Sequence, residues 1–421
     1  MIVDTLNLLK NNYSILRVKI TRELNKKLFF YLSASTKPLA QSLKINEVSL
    51  GRKLSGIKGY SLKLNELLFF AQKAKINEKE ILSNIKDIKI GGNAYWSNCP
   101  LRISLDEGLV EGIGYYIGDG RVKTNSGLSA VSVDIDTIKF FLNWIVKYFG
   151  AQIKDIRVNI SLPCSYFNAC YERKKWSKLV GANINLIKSK YKYKNHHKTL
   201  IEICYSRTII KLILDRLILM TKEKCLLDKS LAAAYIKGIM AAEGSPRYNE
   251  KSHQRAIHLK MKDKLEVEYI CRLLQFLDFT PDLFFSKQDK EWIASITGFY
   301  ELKGLEKMNV FKLNSRRKEK LKEILDNYHH QQAKKGKVKE FYLNKLFEFQ
   351  RKYGKNCTAK GLSDYIKRDK TRVIKVLREL QRDELLKGER IMKTGTPFKF
   401  TLTELGEEFI SKKPLPIYQP C

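Results

Sequence analysis

The sequence predicts an α+β fold in which a duplicated centre is flanked by helical modules. Three observations carry this reading. A glycine-rich segment near residue 115 recurs at a fixed offset near residue 239, strand-like runs and an amphipathic helical period follow each copy, and both ends read as compact helical units. At 421 residues the chain has room for about three domains with cores of their own.

Charge narrows the function. Lys plus Arg total 79 against 44 Asp plus Glu, a net +35, while 44% hydrophobic and 11% aromatic content excludes a merely basic disordered tail. Such an excess implies a polyanionic partner, and nucleic acid is the default. No membrane partner is expected, because no apolar run approaches the roughly 20 residues that a span requires. The stretch from Ile209 to Met220 is broken by Lys211, Asp215 and Arg216. Eight cysteines without a CxxC pair read as reduced thiols of an intracellular (cytoplasmic) protein. The doublets His196-His197 and His329-His330 read as solvated surface.

Residues 1–90 form the first expected module. Leu24, Leu28, Phe29 and Leu32 share a helical face, Pro38 can open a helix, and Lys44-Ile45-Asn46 supplies a turn before a helix over Glu47 to Leu54. That is helix-turn-helix spacing, with Ser49, Arg52 and Lys53 offered to a major groove. A generic helical bundle has the same pattern.

The centre is the informative part. Residues 109–120 read LVEGIGYYIGDG and residues 233–244 read AAYIKGIMAAEG. At a constant offset of 124 residues, Gly114 falls on Gly238, Gly118 on Ala242, Asp119 on Glu243 and Gly120 on Gly244. Asp106 falls on Ser230, both good N-caps. Gly108, Gly112, Gly114 and Gly118 in one helix cost about 1 kcal/mol each relative to Ala, so something must compensate. Small residues four apart, Gly114 with Gly118 and Gly238 with Ala242, would let two helix backbones meet. The following glycines are expected as left-handed caps. Asp119 and Glu243 would then stand together at two negative helix ends. At roughly 4 Å they would repel by about 4 kcal/mol at an effective dielectric of 20. A divalent cation reverses both signs, and oxygen donors with open positions suit Mg²⁺ and metal-assisted phosphodiester hydrolysis. Helix packing with surface caps is the plain alternative.

Beyond the first copy, residues 161–198 carry Arg173, Lys174, Lys175, Lys190 and Lys192 among Tyr166, Tyr171, Trp176, Tyr191 and Tyr193. The arrangement suits a phosphate-contacting surface or a solvated loop. Residues 311–340 hold ten Lys or Arg against four acids and read as a basic connector helix, along phosphates or in solvent. Residues 341–421 order as helix, helix, basic helix and hairpin, which resembles a winged helix. Arg372, Lys375 and Arg378 lie on the exposed side of the basic helix. Such modules bind proteins as well as DNA.

The two central segments, with their paired acids, resemble the motifs of a single-chain LAGLIDADG homing endonuclease, over about 98–310. The resemblance implies a pseudo-symmetric αββαββα pair, divided as 98–225 and 226–310, whose sheets form a saddle over DNA. It also implies a monomer with an internal pseudo-two-fold axis. The family's metal-binding acids map onto Asp119 and Glu243, and the carbonyls before them onto Gly118 and Ala242. Glu243 departs from the commoner Asp. Basic residues near the metals map onto Lys260 and Lys262, whereas Val133 and Asp134 occupy the comparable stretch of the first copy. A sequence-specific, Mg²⁺-dependent DNA endonuclease is the leading expectation, a non-catalytic transcription regulator on the same scaffold the second, and an RNA maturase the third.

Overall fold

The computed structural model describes residues 1–32, 36–54, 62–90, 95–97, 100–120, 127–163, 168–181, 183–191, 199–249, 253–327, 337–354, 357–390 and 398–411. The fold is mixed α+β. It divides into two compact units: the first is Met1–Gly244 with Met261–Phe279 and Met308–Arg316, and the second is Ser245–Lys260, Thr280–Lys307 and Arg317–Cys421.

The first unit opens with β1 (Ile2–Asp4) and α1 (Thr5–Leu8), the Asp4 carboxylate accepting from the Leu6 and Asn7 amides. Then come β2 (Leu16–Ile20), α2 (Arg22–Leu32), α3 (Thr36–Ser42), α4 (Glu47–Leu54), β3 (Leu62–Lys63), α5 (Leu64–Lys73), α6 (Glu78–Ser83), β4 (Ile85–Ile90) and β5 (Trp96–Ser97). An all-α N-terminal module is therefore corrected. Strands pair in the order β3-β2-β4-β5, because Leu16, Val18 and Ile20 alternate with period two and Leu16 and Val18 are buried. Helices α3 and α4 lie either side of Lys44, whose φ of 54° makes the turn. Within α4, a Cβ added at Gly51 would meet nothing within 4 Å. Gly51→Ala is therefore expected to raise stability by roughly 0.5–1 kcal/mol in urea titrations; a loss would contradict the helical assignment.

Strand β6 (Arg102–Ser104) pairs with β1, and α7 (Glu107–Asp119) follows. The chain continues through β7 (Leu128–Ser132), α8 (Ile135–Phe149), β8 (Arg157–Leu162), α9 (Ala169–Val180), β9 (Ile187–Tyr191), β10 (Leu200–Tyr205) and α10 (Thr208–Cys225). The sheet order is β7-β10-β8-β9. The solvated-loop alternative for residues 161–198 is overturned. Its described part holds α9, which buries Trp176 and Val180, and β9, which pairs parallel to β8 with Val158 opposite Ile187. A parallel partner requires a crossover, and α9 provides it.

Helix α11 (Lys229–Glu243) leads into β11 (Gly244–Asn249), β12 (Gln254–Met261), α12 (Lys264–Phe276), β13 (Asp282–Ser286), β14 (Glu291–Thr297) and α13 (Phe299–Lys307). Here the sheet order is β11-β12-β14-β13. In both sheets the strand that comes last of the matched set, β10 or β14, inserts between earlier ones.

The chain ends with α14 (Ser315–Asp326), whose first two residues belong to the first unit and the rest to the second, and then, in the second unit, α15 (Val338–Tyr353), β15 (Cys357–Thr358), α16 (Ala359–Ile366), α17 (Lys370–Arg382), β16 (Leu386–Glu389), β17 (Lys399–Leu402) and α18 (Glu404–Ser411). This C-terminal module is also not all-α, since its strands pair as β15-β17-β16. Its core gathers Tyr342, Leu346, Leu362, Val373, Leu377, Leu380 and Phe400. Of the expected connector, residues 311–327 and 337–340 are described; α14 lies in the first stretch and α15 begins in the second. Among the described residues no helix is long and apolar enough to cross a membrane, and Cys170, Cys204, Cys225, Cys271 and Cys357 are free thiols.

Candidate catalytic centre and nucleic-acid interface

Helix α7 begins at Asp106, whose carboxylate accepts from the Leu109 amide at 2.9 Å. In α11 the N-cap is Asp228 rather than Ser230, and it accepts from the Ser230 amide at 2.8 Å. The glycines of α7 serve two faces. A Cβ at Gly108 would stand 2.4 Å from the Tyr148 hydroxyl, and one at Gly112 would stand 1.9 Å from Trp144 Nε1. These two therefore admit the aromatic side chains of α8, and Trp144 Nε1 donates to the Leu109 carbonyl at 3.2 Å.

Gly114 and Gly118 face α11 instead. A Cβ at Gly114 would lie 2.4 Å from the Tyr235 carbonyl oxygen, and one at Gly238 only 1.9 Å from the Glu111 carbonyl oxygen. The helix cost of these glycines is offset by backbone-to-backbone contact that no side chain permits. At the helix ends, a Cβ at Gly118 would lie 2.4 Å from Ala242 Cβ and 3.1 Å from Glu243 Cγ. Asp119 and Glu243, each the last residue of its helix and each half-buried, are thus carried side by side.

The glycines after them correct the left-handed expectation. Gly120 has φ −79°, ψ 152° and Gly244 φ −69°, ψ 134°, both extended. Their need is steric. A Cβ would lie 2.2 Å from the Tyr116 carbonyl at the first and 2.6 Å from the Met240 carbonyl at the second, where Phe311 also presses at 2.9 Å. Tyr115, one turn before Asp119, is fully buried; burial raises its phenol well above the ordinary range and the Asp119 charge pushes it further. It stays a neutral neighbour of that carboxylate.

Sequence reasoning missed a strap over this end of the first unit. Asn314, 1% exposed, donates to Asp134 Oδ2 at 2.9 Å and to the Ala241 carbonyl at 3.4 Å. Arg316 grips the same carboxylate through Nε and Nη2, at 3.1 and 3.0 Å. Arg316 is one of the ten cations of the expected connector, along phosphates or in solvent, and its charge is answered by Asp134. Nearby, Glu111 is 4% exposed, and burial raises its carboxyl despite the Lys312 ammonium at 2.8 Å.

The remaining expected site residues are spread widely. Lys260, on β12 in the second unit, donates to Asp289; Lys262, just past the end of that strand and in the first unit, is exposed. On α4, Arg52 is exposed and Ser49 half-buried, whereas Lys53 turns inward to Glu66, at 2.8 and 2.9 Å from its two oxygens. On α9, Lys174 and Lys175 are exposed and Arg173 half-buried; Trp176 is used for packing, its Nε1 donating to Glu172 at 3.1 Å. Lys190 is exposed on β9, and Lys192 lies outside the described residues. Arg372, Lys375 and Arg378 form an exposed row along α17, opposite buried Val373, Val376, Leu377 and Leu380.

No known family model matches the chain, and no curated protein is similar to it. Solved structures are partly alike. Full-length DUF199/WhiA from Thermatoga maritima aligns at 10% identity over 68% of this chain and 93% of its own, with a TM-score of 0.33. A structure of mesophilic variants of the homing endonuclease I-DmoI aligns at 11% identity over 48% of this chain and 87% of its own, at 0.30. I-DmoI in complex with DNA and Mn aligns at 14% identity over 53% and 99%, at 0.27.

Proposed function

We propose that the protein is a metal-dependent endonuclease of double-stranded DNA, with a LAGLIDADG-like duplicated core at about 98–225 and 226–310. Helix-turn-helix (1–90) and winged-helix (341–421) modules, with a basic connector between core and winged helix, lengthen its recognition site. One observation carries the reading: the glycine-mediated crossing of α7 and α11 that brings Gly118 within contact of Glu243 and so sets Asp119 beside it. Two neighbouring carboxylates at two negative helix ends repel one another, and a divalent cation between them turns that repulsion into attraction. The donor set fits a hard divalent ion such as Mg²⁺: the carboxylates of Asp119 and Glu243, with the Gly118 and Ala242 carbonyls beside them. When bound, such an ion supplies water activation and stabilisation of the leaving oxygen. Asp119 and Glu243 would hold and orient it, and neutral Tyr115 would deny it a competing anionic oxygen. Lys260 and Lys262 are proposed to offset charge on the scissile phosphate, Lys260 after leaving Asp289.

A non-catalytic DNA-binding regulator is the second reading. It is favoured by Asp134, an acid held by Arg316 where a base would serve cleavage, and by the engagement of Lys260 with Asp289.

Titration of a duplex against salt tests the DNA-binding part common to both readings. Neutralising Z phosphates gives a slope of about −0.9Z in log K against log salt, and with several modules engaged the slope should be steeper than about −6. Replacing Arg372, Lys375 and Arg378 together by Ala should make it shallower by about 2 to 3. A shallow slope common to both proteins would show that the positive charge is solvated surface.

A further inference from the structure

In the second unit a cleft of about 660 Å³ lies against β11 and β12, lined by Arg247, Asn249, Gln254 and His258 and closed on one side by Lys320 of α14. His258 is its anomaly. Both ring nitrogens are shut off from water and neither has a hydrogen-bond partner among the described residues. Phe284 of β13 stands edge-on to the ring, with centroids 6.3 Å apart. A buried polar group without a partner costs about 1–3 kcal/mol, so the free protein carries an unmet demand at the cleft wall.

The surrounding charges say what would meet it. Arg247 on β11 and Lys260 on β12 act on the ring with positive charge, and Lys320 joins Arg247 as the second cation of the lining. The nearby acid is Asp289, in the turn between β13 and β14, which accepts from Lys260 and also feels the charge of Arg247, one carboxylate against three cations. A cleft with surplus cations and an imidazole that has nothing to bond is built for an anion with several acceptor oxygens.

We propose that His258 is a proton-carrying ligand for a phosphodiester group of bound DNA, neutral in the free protein and taking up one proton as the phosphate enters the cleft. The proposal rests on the DNA-binding reading above and adds a specific, pH-linked contact to it. Burial first, and then Arg247 and Lys260, push the imidazole from its ordinary 6.5 down to about 4 in the free protein. An anion cancels the two cations and favours the charged ring, so the value rises in the complex. The sign follows from linkage. Between the free and the bound value, affinity falls tenfold for each unit rise in pH; outside that window His258 contributes no slope.

The test uses the full chain with ¹³C-labelled histidine, the His258 signal being assigned by its loss in His258→Gln, and a mixed-sequence duplex as probe. Expected are an acidic titration midpoint in the free protein, a rise of at least about one unit with saturating duplex, and a pH dependence of affinity that His258→Gln flattens. Gln keeps a donor and an acceptor of similar reach but cannot take the proton. A duplex that binds while the midpoint stays put overturns the proposal and leaves the DNA-binding reading standing. A duplex that does not bind at all overturns both.

Discussion

Asp119→Asn and Glu243→Gln are each expected to lower the rate of duplex cleavage in Mg²⁺ by on the order of 10²–10³-fold, the scale on which removal of one fixed transition-state contact acts. Affinity for the same duplex should change little. The two side chains end their helices half-exposed, and the helix crossing beneath them is made by backbone and small residues, so an amide in place of either carboxylate leaves the packing as it is. Loss of one negative charge should even ease the approach of a phosphate. The measurement is a single-turnover assay beside a binding titration in Ca²⁺. Wild-type cutting rates in both variants would remove the paired acids from the chemistry.

Gly238→Ala carries the largest expected effect on stability. Its new methyl would lie 1.9 Å from the Glu111 carbonyl oxygen and 2.7 Å from the Tyr115 amide nitrogen, both backbone atoms of a helix that cannot swing aside as a side chain can. Ala gains about 1 kcal/mol of helix propensity, but forced separation of two packed helices costs at least the 1–3 kcal/mol typical of overpacking. A net loss of roughly 2 kcal/mol or more is expected in urea unfolding, with an accompanying fall in cleavage as the carboxylates part. Gly51→Ala is the matched control, a glycine in a helix with open space about it, and should move stability the other way. Equal effects at the two positions would mean that α7 and α11 do not approach as closely as described.

The helix crossing was legible because its cause is local. Glycine four residues from a small residue, twice, at a fixed offset, is written in the sequence. The split of the α7 glycines between two partners was not legible, because Gly108 and Gly112 answer to Trp144 and Tyr148 on α8, known only once the fold is formed. The N-terminal sheet escaped for a different reason. Strands β3 and β5 are two residues long, too short for any period, and take their conformation from the neighbours they pair with. Nor does charge counting distinguish a phosphate-facing Arg from Arg316, since its partner Asp134 lies far back in the chain. His258 had no sequence signal at all. Its meaning comes from two nitrogens without partners among the described residues, a property of packing.

Whether the paired helix ends cut DNA is tested by incubating the wild-type chain with a duplex library and Mg²⁺ and mapping strand breaks. Breaks in both strands at a recurring sequence are expected, present with Mg²⁺, absent with chelator and absent in Asp119→Asn. Duplex bound tightly in the same buffer with every strand intact would contradict cleavage by the helix ends and leave the protein a DNA-binding regulator.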